Sequence, residues 1–81
     1  MSKLTLNQIL NMDFLICLKD SQKISDDIYR LLKQSDLKEQ KIVLDFCCDH
    51  FQELHDLKLL DCPVVSSMMT LSMNLVFEKF L

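Results

Sequence analysis

The residues with the most chemistry to offer are four cysteines, Cys17, Cys47, Cys48 and Cys62, and two histidines, His50 and His55. On a helix Cys47 and His50 stand one turn apart, so a thiolate and an imidazole could reach one ion. Cys62 or a second subunit could complete such a site, which would be structural zinc. The competing reading is two buried thiols beside a partly exposed imidazole. Neither a CxxC pair nor an HxxxH pattern is present, so no metal and no cofactor are expected. The His55-Asp56 and Asp49-His50 pairs lack the separate His and Asp ligands that a catalytic metal centre requires. A nucleophilic cysteine needs a partnered base and an oxyanion site. Here the thiols fall within apolar helical pattern, where the thiolate is disfavoured. The expectation is no catalytic residue and no enzyme.

Charge is the next source of function. Asp45, Asp49, Glu53 and Asp56 recur at spacings of four, four and three, which makes an acidic strip along one helix face. Such a strip is either a solvated face or a dock for a basic segment. Asp49 and Glu53 at its centre are candidate partner-binding residues. The net charge is −3, with Lys plus Arg at 9 against Asp plus Glu at 12. The basic footprint of a nucleic-acid binder is absent, and no nucleic-acid partner is expected.

The elements that must position these residues are strongly apolar. Hydrophobic residues make up 49% of 81 residues, with no Gly, no Ala and no Trp, so the class is dominated by Leu, Met and Phe. Disorder is excluded, since a disordered chain has low hydrophobicity. Phosphate-cradling Gly loops are excluded with it. A chain this short buries only about 60% of its unfolded surface. The surplus reads as an interface with a second copy or a fixed protein partner, and the protein is not expected to be a stable free monomer. No secretory leader pattern is read, because the apolar run Phe14 to Leu18 is too short for one. Reduced thiols in a cytoplasm are the expectation. Lys outnumbers Arg eight to one, a composition found in AT-rich bacterial or phage genomes.

The periodicity predicts an all-α fold: a small bundle of three long helices, or four if the first breaks near residues 20–25. Residues 1–81 form a single helical domain on this reading. The first segment runs from Thr5, which with Gln8 fits a capping box, to Gln34. Leu6, Ile9, Leu10, Ile16 and Cys17 recur at helical spacing, and Phe14, Leu15 and Leu18 make the helix apolar on most sides, as in a central core helix. Ser25-Asp26-Asp27 looks like a new helix start, with Ile24, Ile28, Leu31 and Leu32 as its stripe. The second segment opens at Ser35 and Asp36, with Glu39 three residues on, and runs to about Leu60. Leu37, Leu44, Cys48, Phe51 and His55 share one side, and Val43, Cys47, Leu54 and Leu57 extend it. The KIVLDF run from Lys41 to Phe46 is also compatible with a strand.

The third helix carries Pro63 in its first turn. Its polar residues Ser67, Thr70, Asn74 and Glu78 form one narrow stripe, and large apolar residues cover the rest. No residue from Cys62 to Phe77 is charged, but a spanning helix needs about 20 predominantly apolar residues, so membrane insertion is not expected. Leu71 and Leu75 are expected in the core. Met69, Met73, Phe77 and Phe80 are the candidate partner-binding residues.

One resemblance adds a further expectation. The stretch holding Asp36, Glu39-Gln40, Asp49-His50 and Glu53-Leu54 resembles the second helix of the Rop family of plasmid RNA-binding proteins, antiparallel hairpins that pair into four-helix bundles. The resemblance does not reach the first helix, which carries that family's RNA contacts, and it transfers no site residue. The leading expectation is a non-enzymatic protein-interaction module: a regulator, inhibitor or chaperone-type adaptor that buries an apolar helix face against a partner or itself. A Rop-like RNA-binding regulator and a metal-stapled helical protein are the alternatives.

Overall fold

The structure is a computed structural model that describes residues 3–34 and 36–80, with the side chains of residues 77–80 excepted. Among the described residues every regular element is a helix. In chain order they are α1 (Leu6–Ile9), α2 (Met12–Leu18), α3 (Ser21–Lys33), α4 (Leu37–Asp49), α5 (Phe51–Asp56) and α6 (Cys62–Phe80). The all-α expectation holds and the three long helices do not. The KIVLDF run lies inside α4, so the strand reading falls.

Side-chain caps make the extra breaks. Thr5 and Gln8 form the expected box, the Gln8 N–H donating to Thr5 Oγ1 at 3.3 Å and the Thr5 N–H to Gln8 Oε1 at 2.8 Å. Asn11 then opens α2 by accepting from the Phe14 N–H. Asp20 opens α3 by accepting from the Lys23 N–H. The start expected at Ser25-Asp26-Asp27 is therefore in mid-helix. Asp36 caps α4 as expected, accepting from the N–H groups of Lys38 and Glu39. Asp61 caps α6 through the Val64 N–H, with Pro63 in the first turn. Asn and Asp compete for backbone donors, and that competition divides the helices without Gly or Pro.

Two residues take the left-handed conformation that glycine usually supplies: Lys19 (φ 56°) after α2 and Lys58 (φ 60°) after α5. At Lys58 the motif is complete. The Leu59 N–H reaches the Leu54 carbonyl at 2.9 Å and the Lys58 N–H reaches the His55 carbonyl at 3.0 Å. This is the Schellman pattern, and both flanking leucines, Leu54 and Leu59, are buried. The second segment consequently stops short of Leu60. His50 separates α4 from α5 as a kink, since its N–H still reaches the Phe46 carbonyl.

α3 is the centre of the bundle, packed by α4 and α6, with α1 across α3 and α4. Its expected stripe of Ile24, Ile28, Leu31 and Leu32 is buried. α4 and α5 bury one half of the expected apolar surface, Val43, Leu44, Cys47 and Leu54, together with Phe46, while Leu37, Cys48, Phe51, His55 and Leu57 from the other half are exposed. α2 is peripheral rather than central, for Leu15 alone is buried in it and Ile16 and Cys17 are exposed. α6 buries Val64 and Met68, and Leu71 and Leu75 pack half-buried at the edge of the core. No helix of the described residues is long and apolar enough to cross a membrane.

Candidate functional site

Two apolar seams run along α6, each at heptad spacing. Val64, Met68, Leu71 and Leu75, four, three and four residues apart, face the core. Cys62, Ser66, Met69, Met73 and Val76, at spacings of four, three, four and three, are all exposed. Met69 is 62% exposed, Met73 58% and Val76 53%. α3 and α4 cover the first seam, and no other helix of the described residues covers the second.

The second seam is not flat. Small Cys62 and Ser66 at one end, beside Leu60 and Val65, open a groove of about 520 Å³ walled by Met69 and Met73. Asp61 at its rim is engaged as the α6 cap. Met side chains are unbranched and polarisable, so they adapt to an irregular apolar surface. Met69 and Met73, candidate partner-binding residues in the sequence, are both exposed and line this groove. The side chains of Phe77 and Phe80, expected in the same role, lie outside the described residues, as does that of Glu78.

Asp49 and Glu53 stand elsewhere. Both are exposed, at the end of α4 and in α5, and neither lines the α6 groove. Glu53 is engaged with His50 at 3.3 Å, Asp45 with Lys41 at 3.3 Å, and Asp56 accepts from Gln52 at 3.0 Å. The acidic strip is therefore largely paired within its own helices, and the structure does not join it to the α6 seam.

The other chemical candidates separate as well. Cys47 is fully buried, and burial, then the neighbouring Cys48, push its thiol up to about 12. Burial, then Asp45 and Asp49, raise the exposed Cys48 thiol too. The His50 ring lies against Phe46 with centroids 4.7 Å apart. Among the described residues no three His, Cys, Asp or Glu side chains converge on a metal position. All four cysteines are free thiols.

One buried polar site escaped the sequence. Asp27 accepts from the Leu4 N–H at 3.1 Å and lies 3.5 Å from both Lys23 Nζ and Arg30 Nε. Arg30 Nη2 donates to the Leu4 carbonyl at 3.0 Å. The pair grips both polar groups of one peptide residue and fastens the N-terminal segment to α3. The i, i+3 spacing of Asp27 and Arg30 is visible in the sequence, but their shared target is not.

Comparison of the chain with family models, with curated proteins and with solved structures finds no match.

Proposed function

We propose that the protein is a small non-enzymatic interaction module that works in a reducing compartment by burying the exposed seam of α6 against protein. The observation that carries this reading is the run of Met69, Met73 and Val76 in solvent beside the groove at Leu60 and Val65. Burying apolar surface yields about 25 cal/mol per Å², so a continuous helix face supplies useful affinity without charged contacts. The regulator, inhibitor and adaptor roles share this mechanism. The paired acidic strip supports solvation rather than docking, and the absence of basic excess supports protein over nucleic acid as partner.

An apolar fluorescent dye, added at low micromolar protein, tests the reading. The expected outcome is enhanced emission that Met73→Glu abolishes while the helical circular dichroism is unchanged. Equal emission from both proteins, or none from either, would remove the support for an exposed binding face.

A further inference from the structure

The Asp27–Arg30 pair on α3 is built to hold a peptide residue by its main chain. The Leu4 N–H donates to Asp27 Oδ2 at 3.1 Å, and Arg30 Nη2 donates to the Leu4 carbonyl at 3.0 Å, across 23 and 26 residues of sequence. Leu4 lies outside any helix, and Thr5 after it is extended (φ −79°, ψ 166°). The Leu4 side chain is 7% exposed and belongs to the core cluster. Proteins read extended peptides in this way, with main-chain hydrogen bonds for affinity and a side-chain pocket for selection. We propose that Asp27 and Arg30 form a peptide-binding site on α3, which the chain's own segment 3–9 fills in cis as a releasable strap.

The chemistry of the site selects a peptide unit. A free anion would meet the Asp27 carboxylate, and an ammonium would meet Arg30 and Lys23, whose Nζ lies 3.5 Å from Asp27 Oδ2. A neutral residue that offers one donor and one acceptor satisfies both members of the pair. The ligand class is therefore an extended peptide with a branched aliphatic side chain at the gripped residue. This site is separate from the α6 seam and does not depend on it.

Three features make the strap releasable. Its helix, α1, has four residues and is too short to hold itself once detached. It joins α2 through Asn11, which is extended (φ −113°, ψ 101°) and provides a hinge. The grip is also incomplete: Arg30 Nε lies 3.5 Å from Asp27 Oδ1, and it is buried with no hydrogen-bond partner among the described residues. A buried donor left unpaired weakens the closed state. Burial of Leu4 and Ile9 opposes release, so the closed form dominates. Meanwhile α3, α4 and α6 pack on one another directly and keep their places when the strap lifts.

Two measurements on the full chain test the proposal. In native-state hydrogen exchange the amides of Leu4, Ile9 and Leu10 should open as one unit, at least about tenfold less protected than those of Ile28 and Leu32 in α3. Unequal protection among the three, or exchange only at the α3 rate, would overturn the strap. Leu4→Asp then holds the strap open, because its carboxylate meets Asp27 and is excluded from the core. That chain should keep its helical circular dichroism, less the single turn of α1. A fluorescein-labelled peptide of residues 3–10 should bind it saturably by fluorescence polarisation. Wild type should bind the peptide at least about tenfold more weakly, since its own segment competes at an effective concentration in the millimolar range. Adding Arg30→Met to the Leu4→Asp chain should abolish binding, and so should Leu4→Asp within the peptide. Loss of the fold in Leu4→Asp would show segment 3–9 to be core and overturn the proposal. A folded Leu4→Asp chain that leaves the peptide unbound would overturn it equally. Neither measurement reads the α6 seam, so the dye test at Met73 stands or falls separately.

Discussion

A buried ionisable side chain is the most informative single residue in this protein, and the chain has two of different character. Asp27 is fully engaged by what surrounds it: one backbone N–H and two cations within 3.5 Å. Cys47 is held neutral, because burial leaves its thiolate without solvent. The consequence for stability has a definite sign. The folded thiol ionises near 12 and its ordinary value is 9.0, so a raised value stabilises the fold fully below pH 9 and loses that contribution as pH climbs toward 12. Unfolding by urea at a series of pH values should show the wild type losing stability in that window faster than Cys47→Val. Parallel curves for the two proteins would show that Cys47 ionises as easily folded as unfolded. The apolar surroundings of Cys47 were legible from its helical pattern. The role of Asp27 was not, because its backbone partner lies 23 residues away and Ser25-Asp26-Asp27 imitates a helix start. Ser25 itself is buried and donates to the Leu59 carbonyl at 2.9 Å, another contact with no local signature.

At the scale of elements, the helix starts that were recognised, at Thr5, at Asp36 and in the turn that holds Pro63, are real. The break allowed near residues 20–25 is real and falls at Asp20, while Asn11, an equally good acceptor set within apolar pattern, was masked by periodicity. With no Gly in the chain, no residue type marks where the helices end. In fact lysine takes the left-handed positions at Lys19 and Lys58. That conformation costs a residue with Cβ roughly 1–2 kcal/mol. Glycine would remove the cost while losing about 0.5–1 kcal/mol to its freer unfolded chain. Lys58→Gly, inside a complete Schellman motif, should therefore gain about 0.5–1 kcal/mol and raise the melting temperature by about 2–8 °C. Lys19→Gly should act in the same direction. A lower melting temperature for Lys58→Gly would mean that the aliphatic stem of Lys58 contributes more packing than its backbone costs.

For the whole molecule the question is how the apolar residues divide between a core and a face. The chain exposes 5590 Å², whereas a folded monomer of 9.5 kDa exposes about 5,000 Å² by the size scaling of surface. The difference is in keeping with exposed Leu37, Phe51, Met69, Met73 and Val76, a surplus that composition alone had implied. Which residues form the surplus was legible only in part. The doubled heptad of α6 lies in the sequence, but only the packing of α3 and α4 against Val64 and Met68 decides which seam is left free. That division predicts opposite behaviour for two truncations of similar size. Ile28 is fully buried at the centre of α3, so Ile28→Ala should cost about 2–5 kcal/mol of stability. Since a domain has only about 5–15 kcal/mol in all, much of the fold's margin goes with it. Met69→Ala should leave the monomer's urea midpoint within about 0.5 kcal/mol of wild type, as for other surface sites, and reduce only association. The comparison is made at dilutions where sedimentation shows monomer, because a dimer would add its own binding energy to the fold. If Met69→Ala destabilised the dilute monomer as much as Ile28→Ala does, the second seam would belong to the core and α6 would have no free face to offer.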